Sequence, residues 1–341
     1  MITGIKIFNV SFALLCILVC TNVDYLYPQS TSANPTLINN LTIYDINKIS
    51  EDSVNIGLWA LLVSKEYDNK VEITKYLQQL DVMATEVKRM LAGRTSDMEK
   101  FLAVKTYLYE SGVWNNNHPY SYDLDDPLGT KLEHQLLSYY LDSRKGNCVS
   151  MPTLFLALME RVDPAVPFVG VKAPLHLFCR LKDRQTNDVW NVEATNGGDP
   201  ARNQWYIDKM KISPKAVKSG LYLKDLSKKE YISELLGVLI SKERRLGNIE
   251  NALRYTELAL QLCPNSDNTL IQKGALLAEQ CYQNDKTNPM PPVEKEKCKK
   301  ESDYYINKAI SLGWGKQTDI DQDEYLKAVQ KEKSKMQQEK K

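Results

Sequence analysis

The stretch Ser143–Val162, SRKGNCVSMPTLFLALMERV, changes character in its middle. Leu154, Leu158 and Val162 fall at helical spacing, and Pro152, which lacks an amide hydrogen, fits only the first turn of a helix. Cys148 therefore stands at or just before a helix N-terminus. There the free backbone amides and the positive end of the helix dipole favour an anion, the form in which a cysteine is a nucleophile. Arg144 and Lys145 add positive charge in the same direction, and Gly146 permits a sharp loop-to-helix entry that leaves the sulfur accessible.

A thiolate nucleophile needs a base and proton donor. Downstream, Pro167–Val171, Leu175–Leu181 and Val189–Thr195 alternate or run apolar in the manner of strands. In the second of these, His176, Phe178 and Arg180 share one face. The third carries Asn191 and Glu193 just before the Asn196-Gly197-Gly198 turn. A hairpin sets Glu193 or Asn191 beside His176, a Cys–His–acid order in which the acid orients the imidazole. Asn147 is placed to contribute to an oxyanion site with the Cys148 amide, or equally to cap the helix. Cys179 points to the opposite strand face and reads as core. His118 and His134 read as solvated.

RKGNC, then APLHLF, then NVEATNGG resembles the transglutaminase-like superfamily of papain-like folds. The bacterial branch with an N-terminal helical region and C-terminal tetratricopeptide repeats is the nearer likeness, and it spans roughly residues 50 to 315. The resemblance implies Cys148 as nucleophile, His176 as general base and Glu193 as the acid.

Upstream of this stretch the pattern is helical. Val54, Leu58, Leu61 and Leu62 form one stripe, and Ile73, Leu77, Leu80, Ala84, Val87 and Leu91 form a second after the Asp68-Asn69 break. Ser96 and Glu99 make a capping box for a third helix. Trp114–Thr130 is turn chemistry; its acidic cluster at Asp123, Asp125 and Asp126 has Pro127 where a third calcium ligand would fall and no glutamate at the required offset. The acids Asp319, Asp321 and Asp323 read as the N-terminal face of a helix. Before all of these, the apolar run Ile7–Cys20 after Lys6 reads as a secretory signal peptide, with lipidation at Cys20 or an uncleaved anchor as the alternatives. Residues 24–50, rich in Asn, Thr, Ser and Pro, read as a tether.

Beyond Trp205 the chain turns to charged helices. Gly247, Ala252, Ala259 and Pro264 match a tetratricopeptide helix pair, and a second unit starts near Gly274 and resumes at Tyr305–Leu312. The proline-bearing stretch Tyr282–Lys297 between them reads as an inserted loop. Its flanking Cys281 and Cys298 could close a disulfide in an oxidising compartment, or stay free.

The composition narrows the rest. Hydrophobic residues make up 43% and charged residues 26% of 341, and the mean hydropathy is −0.41, a globular profile. A net charge of +1 offers no overall field for nucleic acid or an anionic membrane. Seven cysteines are too few for a disulfide scaffold and three histidines too few for a His-rich metal site, so no metal or organic cofactor is implied.

The expected fold is α+β, with a papain-like, transglutaminase-like core and N-terminal helices over 51–210. An all-α tetratricopeptide-like module follows at 225–315, between the signal peptide (1–23) and tether (24–50) at one end and a charged tail (316–341) at the other. The expected protein is exported, periplasmic or secreted, and performs thiol-dependent acyl transfer on a protein or peptide, with the helical repeats for a partner or substrate. Membrane contact is expected only through an uncleaved or lipidated N-terminus. The competing reading is a non-catalytic scaffold with an inert papain-like core.

Overall fold

A computed structural model describes residues 40–315 continuously, with Ile38 before them and Lys327, Gln330, Lys331 and Lys335 after them. The segment read as a signal peptide, the acids at 319–323 and most of the charged tail lie outside the described residues.

The Asn55 side chain accepts the Leu58 amide at 2.9 Å and starts helix α1 (Ile56–Tyr67), whose residues 56–64 are all buried. A helix apolar all round belongs in the interior, and α1 lies at the centre of the main core. Helix α2 (Ile73–Leu91) buries a single stripe through Ile73, Leu80, Ala84, Val87 and Leu91. Helix α3 (Asp97–Tyr109) opens on the Ser96–Glu99 capping box, a feature that stabilises a helix by about 1 kcal/mol. After α4 (Leu137–Ser143) comes α5 (Ser150–Val162), buried from Ser150 to Met159. Each fully buried Leu of α5 contributes about 2 kcal/mol by leaving water.

The two-residue strands β1 (Ser121–Tyr122) and β2 (Lys145–Gly146) pair in parallel. Strands β3 (Phe168–Ala173), β4 (His176–Lys182), β5 (Val189–Glu193) and β6 (Asp199–Ala201) form an antiparallel sheet in sequence order. One face, with Leu177, Cys179, Leu181 and Val192, joins the main core around α5. The other face, with Val171, Ala173 and Phe178, is covered by residues of α6 (Asn203–Lys209), α7 (Pro214–Lys218) and the segment to Leu223.

The chain closes with α8 (Lys228–Leu235), α9 (Gly237–Arg245), α10 (Ile249–Leu262), α11 (Asp267–Thr287) and α12 (Pro292–Leu312). Gly274 of α11 meets Ser302 and Ile306 of α12 so closely that a methyl group would fall 2.7 Å from Ile306. Two turns further along α11, and one turn before Ser302 on α12, Cys281 and Cys298 form a disulfide across a Cα separation of 6.1 Å. Buried Lys172 of β3 ties the sheet to these helices through Glu234 at 2.8 Å and Asp267 at 2.6 Å.

Two expectations are corrected here. The tether 24–50 is packed structure where it is described. Ile43–Lys48 and Glu51–Ser53 are 3-10 helices, and Ile43, Ile46 and Ile49 are buried in the core. Their spacing of three suits a 3-10 helix and escapes a search at 3.6. The loop 282–297 is mostly helix, because Pro291 caps α12 and Pro292 is its first residue, positions where no amide hydrogen is needed. The 51–210 and 225–315 segments share one core: Leu226, Tyr231, Leu236, Leu258 and Leu276 belong to the same cluster as Leu61 and Leu158.

Candidate functional site

Cys148 lies between β2 and α5, in the loop that Asn147 fastens. Asn147 Oδ1 accepts the Val149 amide at 2.9 Å and the Ser150 amide at 3.3 Å, while the Asn147 amide donates to Ser150 Oγ at 3.1 Å. Of the two roles open to Asn147 in the sequence, its oxygen takes the cap; its Nδ2 is buried without a partner. Gly146 serves space and not backbone conformation. Its φ is not positive, and a Cβ there would come 2.6 Å from the Tyr140 ring and 2.8 Å from Ser150 Oγ.

The two basic residues turn elsewhere, contrary to expectation. Arg144 closes α4 with φ +56° and donates to the Asn115 and His118 carbonyls, and Lys145 pairs with Asp125 at 2.6 Å. Both reach carbonyls or carboxylates of the 115–125 turn. The positive environment of Cys148 comes from the helix start and from the histidine.

The β3–β4 hairpin brings that histidine. Ala173 pairs with His176 around a two-residue turn, Pro174-Leu175, in which Leu175 takes φ +55°. The left-handed region costs a leucine about 1 kcal/mol. It aims the Leu175 carbonyl at Cys148 Sγ, 3.8 Å away.

On the next strand the register Cys179↔Val192 sets Glu193 beside His176. The two residues are diagonal neighbours, a span that the extra methylene of glutamate helps to cross. His176 Nε2 lies 2.7 Å from Glu193 Oε2. The Cys148 side chain is near enough to favour the charged form of the same ring. Thus Cys148, His176 and Glu193 come together. Asn191 does not join them: its side chain accepts from Arg180 Nε at 2.8 Å and donates to Asn203 Oδ1 at 2.8 Å.

Electrostatics follow from burial and pairing. Burial disfavours a charged His176, but the Glu193 carboxylate and the Cys148 side chain outweigh it, and the imidazole is pushed up to about 10. Burial likewise disfavours the Glu193 anion, and the charge and hydrogen bond of His176 with the donors of Thr195 hold it down to about 2. The ring is therefore an imidazolium at neutral pH beside an accessible sulfur. Cys148 is part-exposed, whereas Cys179 and Cys263 are buried and their thiols are pushed up by burial.

Residues 74–237 match the model of the transglutaminase-like superfamily. The chain carries a transglutaminase-like superfamily domain. That span contains Cys148, His176 and Glu193. The chain is 27% identical over 206 residues to Protein SirB1 of Salmonella typhimurium, covering 60% of this chain and 71% of that protein. It is 28% identical over 149 residues to the UPF0162 protein YchA of Escherichia coli strain K12, covering 42% of this chain and 52% of that one. A UPF0162 protein of Buchnera aphidicola is 24% identical over 144 residues, with the same two shares. No solved structure matches the chain.

Two sets of residues around the site escaped the sequence. Thr195 and Tyr206 both donate to Glu193. Thr195 was within reach, because a threonine two residues after a buried acid is a common local donor; Tyr206 had no signal, since its approach depends on where α6 lands. His134, expected in solvent, is buried instead, with Nδ1 2.7 Å from Asp123 Oδ2 and its ring stacked on Tyr139 at 4.2 Å. The acidic turn is ordered by its own acids: Asp123 accepts the Asp125 amide and Asp126 accepts the Thr130 and Lys131 amides. Among the described residues no group of His, Cys, Asp and Glu is arranged to hold a metal.

Proposed function

We propose that this chain is a thiol-dependent acyl-transfer enzyme in which Cys148 is the nucleophile, His176 the proton shuttle and Glu193 the orienting acid. The observation that carries the reading is the His176 Nε2–Glu193 Oε2 contact of 2.7 Å, on a ring whose charged form is also favoured by Cys148 at a helix start. Family membership alone is silent on activity. In the first half-reaction the Cys148 sulfur attacks a carboxamide or peptide carbonyl, and the tetrahedral intermediate expels the nitrogen as the imidazolium of His176 gives it a proton. The neutral ring then takes a proton from water or an amine that attacks the thioester, which frees the sulfur and restores the imidazolium. Hydrolysis and cross-linking differ only in that second nucleophile.

Export is part of the proposal, supported by the apolar run Ile7–Cys20 and by the Cys281–Cys298 disulfide, which persists in an oxidising compartment. We propose further that α9–α12 are tetratricopeptide-like and hold a protein partner or substrate. A groove of about 940 Å³ lined by Lys273, Leu277, Val293, Tyr304 and Tyr305 supports that role, and it contains none of the three site residues.

The test is thioester trapping. Casein peptides incubated with the protein and hydroxylamine should yield peptide hydroxamates, detected by mass spectrometry, and Cys148→Ser should yield none. Equal hydroxamate from the wild type and Cys148→Ser, or none from either across peptides bearing glutamine and C-terminal carboxamides, would favour the scaffold reading.

A further inference from the structure

Tyr206 is outside the Cys–His–acid order, yet it reaches the acid. Glu193 uses both carboxylate oxygens: Oε1 accepts the Thr195 amide at 3.1 Å and Thr195 Oγ1 at 2.7 Å, and Oε2 accepts His176 Nε2 at 2.7 Å and the Tyr206 hydroxyl at 3.1 Å. Donors on both oxygens fix the plane of the carboxylate. A glutamate needs this more than an aspartate does, because it has one more rotatable bond to hold.

The tyrosine itself is clamped. Its ring stacks on Phe178 at 4.2 Å and 10°, and Trp205 packs edge-on at 5.0 Å. Phe178 is the next residue on the His176 face of β4, so the tyrosine and the histidine are referred to the same strand. The start of α6 is anchored to the sheet in turn, because Asn203 Oδ1 accepts from both Asn191 Nδ2 at 2.8 Å and Arg180 at 3.0 Å. That anchoring accounts for Asn191. It fastens the helix that carries Tyr206, and it does not touch the imidazole.

We propose that Tyr206 is a positioning residue for the reaction, holding Glu193 Oε2 on His176 and drawing off part of the carboxylate's charge so that the imidazolium releases its proton more readily. This rests on the acyl-transfer reading above. Burial, with the Glu193 charge behind it, keeps the phenol protonated, so toward the carboxylate it acts only as a donor. The groups facing His176 are Cys148 from the start of α5, Glu193 from β5 and Tyr206 from α6; Arg180, on the same strand face, is engaged by Asp225 at 2.6 Å.

Tyr206→Phe tests this while keeping the stacked ring. Hydroxamate formation at pH 7, which needs the imidazolium to give up its proton, should fall about tenfold, the range of a lost hydrogen bond to a charged group. In a Glu193→Gln background the same substitution should change that rate less than about twofold, because the tyrosine then has no carboxylate to hold. The His176 titration, followed by NMR with labelled histidine, should move to higher pH in Tyr206→Phe. An equal loss in both backgrounds would make Tyr206 a packing residue only, and unchanged rates with an unmoved His176 titration would remove the proposal. The NMR readout needs no substrate. A shifted His176 titration without any hydroxamate chemistry would therefore overturn the acyl-transfer reading and leave the Tyr206–Glu193–His176 coupling standing.

Discussion

His176 with Glu193 and His134 with Asp123 each set a ring nitrogen 2.7 Å from a carboxylate oxygen, largely out of water, but only the first pair is aligned as a hydrogen bond. What surrounds each pair differs. His176 has a part-exposed thiol among the groups that act on its charge, whereas His134 lies flat on Tyr139 and its backbone carbonyl takes the Ser150 hydroxyl at 3.0 Å. Asp123 also spends its other oxygen on the Asp125 amide. The first pair has an outlet for a proton. The second staples the 121–131 turn to the first turn of α5 and so supports the loop from which Cys148 projects.

If that distinction is real, substitutions at the two histidines should part company most widely in activity. Cys148→Ala or His176→Ala should reduce hydroxamate formation by on the order of a thousandfold or more, while His134→Gln should leave it within about threefold and lower the melting temperature. A comparable collapse for His134→Gln, in protein shown folded by circular dichroism, would end the comparison.

The thiols sharpen it next. In native protein iodoacetamide should label Cys148 at least about a hundredfold faster than Cys179 or Cys263, which are buried. Cys281 and Cys298 should label only after reduction. Peptide mapping of the alkylated protein reads all five, and early labelling at Cys179 would contradict the packing of β4 on α5.

Within the site, Glu193→Gln should slow acylation about tenfold to a hundredfold, whereas Asn191→Ala should slow it less than about fivefold. The asparagine variant should instead lose about 1–3 kcal/mol of stability in urea unfolding, the cost of leaving Arg180 and Asn203 without their buried partner. The reverse ranking would transfer the orienting role to Asn191.

The smallest effect is in pH dependence. His176 in the folded chain is pushed up to about 10, above its unfolded value of about 6.5. The folded state therefore holds the proton more tightly, and the stability this contributes is fully present below about 6.5 and lost as pH rises towards 10. Glu193 has the opposite sign. Held down to about 2, it contributes stability that is present above about 4.5 and lost as pH falls towards 2. Urea midpoints measured from pH 6 to 10 should decline in the wild type and flatten in His176→Gln; equal slopes in both would show the pair uncoupled.

Much of this was legible from short-range patterns. The capping box at Ser96, the apolar run of α5 behind Pro152 and the alternating strands of the hairpin are local statements, each enforced by hydrogen bonds or burial within a few residues. They suffice to order Cys148, His176 and Glu193 along the chain and to expect them together. Patterns misled where period or position was ambiguous. Isoleucines three apart at 43, 46 and 49 looked like part of a polar tether, and prolines that begin α12 looked like a loop.

The sequence by itself determined which residue types could do chemistry and in what order they arrive, because helix starts, strand alternation and turn residues are set by near neighbours. Only the tertiary structure decided which donors surround the acid. Tyr206 reaches Glu193 from a helix that follows β6, Asn191 bends away to Asn203, and Arg144 and Lys145 leave the thiol for the 115–125 turn. Such choices depend on where separate elements land against one another, and burial then enforces them, since a polar group shut away from water must find whichever partner packing has placed within reach.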